Sequence, residues 1–80
     1  MTVYDWDNGR MIRLRIGERL IAKLTGEWLI QDSAIGYLML SGQSREGERQ
    51  VFQWQTIGTG ETHLRLQNRN GTYTLRILIY

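Results

Sequence analysis

Residues 62–67 alternate without a break: Thr62, Leu64 and Leu66 fall on one side, His63, Arg65 and Gln67 on the other. A period of two marks a strand with one face buried, and no segment of the chain carries a helical period to compete with it. The pattern recurs at 11–16, where Ile12, Leu14 and Ile16 oppose Arg13 and Arg15, and at 19–24, where Leu20, Ala22 and Leu24 face inward. Shorter strands are expected at 27–31, with Trp28 and Ile30 on one face, and at 36–41, with Tyr37 and Met39 opposite Leu38 and Leu40. Residues 49–57 place Phe52 and Trp54 together, and residues 73–79 line Tyr73, Leu75, Ile77 and Ile79 along a last strand.

The segments between these runs are turn-forming. Gly17-Glu18, Thr25-Gly26, Asp32-Ser33 and Gly58-Thr59-Gly60 each interrupt a periodic segment, and the chain has nine glycines and no proline to do this work. Asp5-Trp6-Asp7-Asn8-Gly9 also reads as a turn, since two carboxylates fall short of a calcium loop's ligand set. Residues 42–48 hold no apolar side chain and are expected as an exposed loop. Asn70-Gly71 predicts a tight hairpin with positive φ at both central positions. Seven short, closely spaced strands imply an all-β domain. An immunoglobulin-like antiparallel sandwich is the expectation, with a small barrel of the SH3 or OB type as the alternative that pattern alone leaves open.

At 80 residues the chain forms one domain, 1–80, with a single core. The absence of cysteine removes disulfides, thiolate metal sites and a thiol nucleophile. His63 is the sole histidine and lies on a polar strand face. Ser33, Ser41 and Ser44 sit in or beside turns with nothing linking them to it, and the eight carboxylates are scattered. These observations point away from an enzyme and from any metal or cofactor. Residues 1–6 include Asp5 and lack the apolar run of about seven to fifteen residues in a secretory leader, and no segment approaches the roughly 18 apolar residues of a membrane span. A cytoplasmic domain without a membrane role is expected.

Nine arginines beside one lysine raise nucleic-acid binding as an alternative, but the net charge is only +2 and the arginines are spread over several strands, as on solvated faces. A second alternative is an accessory subunit that packs through Ile21, Leu29 and Leu78, which alternation places outward. Trp6, Trp28 and Trp54 are each either core or contact; Trp54 shares a face with Phe52 and reads as core, while Trp28, directly after a turn, is placed equally well for core or contact.

The run Asn8-Gly9-Arg10-Met11-Ile12-Arg13-Leu14-Arg15-Ile16-Gly17-Glu18, continued by Leu20, Ala22 and Leu24, resembles the opening of the chagasin-type cysteine-peptidase inhibitors. Thr25-Gly26-Glu27-Trp28 resembles that family's Thr-Gly loop with one residue fewer, and Val51-Phe52-Gln53-Trp54, residues 60–66 and residues 73–79 follow the order of its last three strands. The resemblance implies an immunoglobulin-like sandwich and a non-catalytic protein-binding module whose three loops block the cleft of a papain-like cysteine peptidase. Carried to this chain, the first loop supplies Thr25, Gly26 and Trp28. The second falls at 42–48, with Arg45 between Gly42 and Gly47. The third falls at 68–71 and retains Arg69, with no Pro or Trp beside it.

Overall fold

The computed structural model describes residues 1–31 and 34–80. Among the described residues eight strands form two four-stranded sheets, β1 (Thr2–Tyr4), β3 (Arg19–Thr25), β6 (Arg49–Thr56) and β5 (Leu38–Glu46) in the order β1-β3-β6-β5, and β2 (Met11–Leu14), β8 (Gly71–Ile79), β7 (Gly60–Asn68) and β4 (Leu29–Ile30) in the order β2-β8-β7-β4. The result is the expected sandwich, with open sheet edges in place of barrel closure. Its inner faces are the ones that alternation selects. Leu20, Ala22, Leu24, Phe52 and Trp54 from the first sheet meet Ile12, Leu14, Leu64, Leu66, Tyr73, Leu75, Ile77 and Ile79 from the second. Burying one side chain in two from each sheet is what makes a two-layer core.

Several details differ from the sequence expectation, each for a local reason. β1 is an added strand, and its parallel pairing with β3, like that of β2 with β8, makes both sheets mixed. Residues 42–48 are mostly strand: β5 runs to Glu46 and pairs with β6, so only Gly47 and Glu48 are left as the turn. Their polarity reflects an edge strand open to water on most of its surface, a position where charged side chains also discourage pairing with other chains. The last hairpin turns one residue earlier than expected, at Arg69-Asn70, because Asn68 pairs with Gly71. The Asn68 Oδ1 accepts from the backbone N–H groups of Asn70 (2.9 Å) and Gly71 (3.0 Å), which stabilises the turn without positive φ at Asn70. The strand expected at 27–31 shortens to Leu29–Ile30, and the next one begins at Leu38 after a turn in which Ala34 O accepts from the N–H groups of Tyr37 and Leu38. The turn expected at Asp32-Ser33 lies outside the described residues. Ile16, expected inward, is exposed just past the end of β2.

One carboxylate is built into the crossing between sheets. Asp5–Asp7 forms a single 3-10 turn, and Asp7, 5% exposed, accepts from Tyr4 N (2.9 Å) and Arg10 Nη1 (2.6 Å). The Tyr4 backbone bond, and then the Arg10 guanidinium, hold its carboxyl below the ordinary carboxylate range. A folded-state pKa below the unfolded value of about 3.9 gives stability that is complete above that value and is lost as pH falls through the folded pKa. Asp7→Asn is therefore expected to destabilise the domain by about 2 kcal/mol at pH 7, with the two proteins converging as pH is lowered below about 4. Urea unfolding as a function of pH checks this; a constant difference from pH 7 to 2 would contradict it.

Candidate functional site

Four chain crossings meet at one end of the sandwich. They are the Asp5–Asp7 turn, residues 26–28 between β3 and β4, the Gly47-Glu48 turn and the Arg69-Asn70 turn. Backbone and side-chain bonds hold them to one another. Asp5 accepts from Thr25 N and Thr25 Oγ1, both at 2.9 Å, and Gly26 N donates to Glu48 O at 3.1 Å. Asn8 clasps β8 by accepting from Thr74 N (2.9 Å) and donating to Thr72 O (3.1 Å), so the crossing from β1 to β2 is bonded to the strand that follows Arg69.

The residues that the family resemblance singles out are brought to this end. Thr25 closes β3 and is exposed, and Gly26 takes φ +94°, a conformation that an L side chain adopts only with strain. Trp28 is held at three points: its N–H donates to Gln50 Oε1 (2.7 Å), its indole Nε1 donates to Thr25 O (2.9 Å), and its ring meets Tyr73 edge to face at 6.0 Å. Half of the question posed by the sequence is thus answered for Trp28. It packs against the core, yet its other edge reaches the loop surface. Arg45 lies near the end of β5, 3.8 Å from Glu27 of the first loop, an exposed pair whose attraction is weak. Arg69 occupies the tip of the β7–β8 turn and is exposed.

Two of the three loops are two-residue hairpin turns, so this end is blunt. The sequence leaves one member of it open between core and contact. Trp6 stands out from the Asp5–Asp7 turn with 69% of its surface exposed. The only available signal was a tryptophan between two aspartates, which names a turn and not the direction of a side chain.

Elsewhere the surface is less focused. The apolar residues that alternation places outward do not form one patch, because Ile21 lies on the first sheet and Leu29 and Leu78 on the second. The arginines are likewise divided, with Arg19 and Arg49 on the first sheet and Arg13, Arg65 and Arg76 on the second, where Arg76 pairs with Glu61 at 2.7 Å. Among the described residues there is no cluster of His, Cys, Asp and Glu able to hold a metal ion, and no helix long and apolar enough to cross a membrane.

No protein-family model and no curated protein matches this sequence. Among solved structures the chain is similar to the cysteine protease inhibitor EhICP2 from Entamoeba histolytica, with a TM-score of 0.85 at 12% identity over 99% of this chain and 93% of that one. It is also similar to amebosin, whose solution structure matches with a TM-score of 0.72 at 19% identity over 100% of this chain and 97% of that one. At these identities it is the fold that is shared, and the fold is the chagasin-type sandwich.

Proposed function

We propose that this domain is a non-catalytic protein-binding module that inhibits a papain-like cysteine peptidase by placing its loop end across the active-site cleft. Thr25, Gly26 and Trp28 form the main contact, and Arg45 and Arg69 contribute from the flanking turns. The observation that carries the reading is the state of the first loop, which is short, exposed at Thr25 and Gly26, and tied down by the Asp5, Glu48 and Gln50 bonds. A loop already held in one conformation loses little entropy on docking, which raises affinity without adding contacts. The inhibitor likeness of the fold adds support, and inhibition by occlusion requires no chemistry from the domain itself.

The test is the inhibition constant of the purified domain against a papain-like peptidase, with Trp28→Ala as its partner. Wild type is expected to inhibit at or below micromolar concentration and the variant about 30-fold or more weakly, the range of an aromatic hot spot. Because Trp28 also packs on Tyr73, the variant is compared at a urea concentration and temperature at which its unfolding curve shows it folded. Equal inhibition by a folded Trp28→Ala, or none by wild type at micromolar concentration, would overturn the proposal.

A further inference from the structure

The Asp5–Asp7 turn turns its two carboxylates into the protein and its indole out of it. Asp5 is bound to Thr25, and Asp7 to Tyr4 N and Arg10, so both acidic neighbours of Trp6 are satisfied internally. The indole of Trp6 lies against the ring of Tyr4, with centroids 4.8 Å apart and planes 14° from parallel. Arg49 flanks the pair, its Cζ 5.3 Å from the Tyr4 centroid and 5.9 Å from that of Trp6. The guanidinium thus lies over both rings and packs with Tyr4 against Trp6. Yet 69% of this residue remains in water, an arrangement that folding alone gives no reason to keep.

The plate is also rigidly connected to the candidate loop. The two Asp5 bonds end on Thr25, the residue that opens the loop, and Arg49 pairs with Thr25 across β3 and β6. Trp6 and Thr25-Gly26 therefore move as one surface. We infer that Trp6 is a fourth contact element of the same interface, a preformed aromatic anchor that lies beside the three loops and takes apolar surface at the rim of the peptidase cleft. The occupant is apolar and not cationic, because the carboxylates that would draw a cation are turned away and Arg49 would repel one. This assignment rests on the inhibitory reading above and adds to it a residue outside the three loops.

The test compares wild type, Trp6→Ala, Trp6→Lys and Trp6→Phe for inhibition of a papain-like peptidase, with dissociation rates and urea midpoints measured alongside. Trp6→Ala and Trp6→Lys are expected to weaken inhibition about 10- to 30-fold, mainly through faster dissociation, while Trp6→Phe stays within about threefold. The side chain's exposure leads us to expect little change in the urea midpoint, and Trp6→Lys, with its long stem along the Tyr4 ring, covers the case in which Trp6→Ala is poorly folded. Wild-type inhibition that all three folded variants match would overturn this inference and leave the loop reading in place. Absence of inhibition by wild type would overturn both.

Discussion

Tyr73→Ala is expected to cost about 4 kcal/mol of stability, within the range of large aromatic truncations in a packed core. Tyr73 is 1% exposed, meets Trp28 edge to face at 6.0 Å, and donates its hydroxyl hydrogen to Tyr4 O at 2.8 Å. Removing the side chain opens a cavity between the sheets and leaves the Tyr4 carbonyl without this donor. A domain of this size has in all on the order of 4–12 kcal/mol, so the variant is expected to be largely unfolded at 37 °C. Burial, and then the nearby Asp7 and Asp5 carboxylates, raise the phenol's pKa far above the working range, so the hydroxyl remains a donor at any pH at which the domain is handled. Tyr73→Phe separates the two contributions: it keeps the packing, loses the hydrogen bond and should cost about 1 kcal/mol. Urea unfolding measures both. A Tyr73→Ala loss below about 1.5 kcal/mol would mean that the loop end does not depend on this residue.

Gly58→Ala should cost about 3 kcal/mol, at the upper end of what overpacking costs. A Cβ at position 58 would overlap Gly36 O, well inside van der Waals contact, and the obstacle is backbone that cannot rotate away. The loop after β6 is also bonded there, since Ile57 N donates to Tyr37 O at 2.8 Å, so relief of the clash must break or stretch that connection. Gly42→Ala is the useful contrast: its Cβ would meet only Gln53 Cβ at 4.0 Å, an ordinary contact, at ordinary backbone φ. The expected result is a urea midpoint sharply lowered by Gly58→Ala and changed little by Gly42→Ala. Because position 58 lies at the end of the sandwich opposite the candidate loops, a folded Gly58→Ala should retain whatever the loop end binds.

The candidate site was legible where it coincides with turn chemistry. Thr25-Gly26-Glu27-Trp28 stands out because a glycine and a tryptophan adjoin the end of a well-patterned strand, and Arg69 sits in a polar turn; Arg45 stands out by the same polarity, although its segment is the end of β5. Their gathering at one end follows from strand order, since β3, β5 and β7 all finish there. Trp6 was not legible in the same way. Whether an aromatic residue in a short turn points into the core or into water depends on which neighbours bind its flanking groups. Those neighbours, Thr25 and Arg10 among them, are brought together by the turn and by the pairing of β1 with β3.

By itself the sequence determined that the chain is all-β, which faces of its long strands are buried, and that one core of aliphatic and aromatic side chains serves the whole domain. That much is local: a side chain on a strand faces one way or the other, and burial of one face in water-free contact selects apolar residues at every second position. Only the tertiary structure decided the strand status of Thr2–Tyr4, the extension of β5 through a segment with no apolar residue, the one-residue shift of the last turn, and the exposure of Trp6. The first depends on a partner distant in the chain, Ile21 for Thr2, and the second on an edge position, where no buried face exists to impose a period. Alternation records burial, and it is silent wherever a strand or a turn is held in place by hydrogen bonds alone.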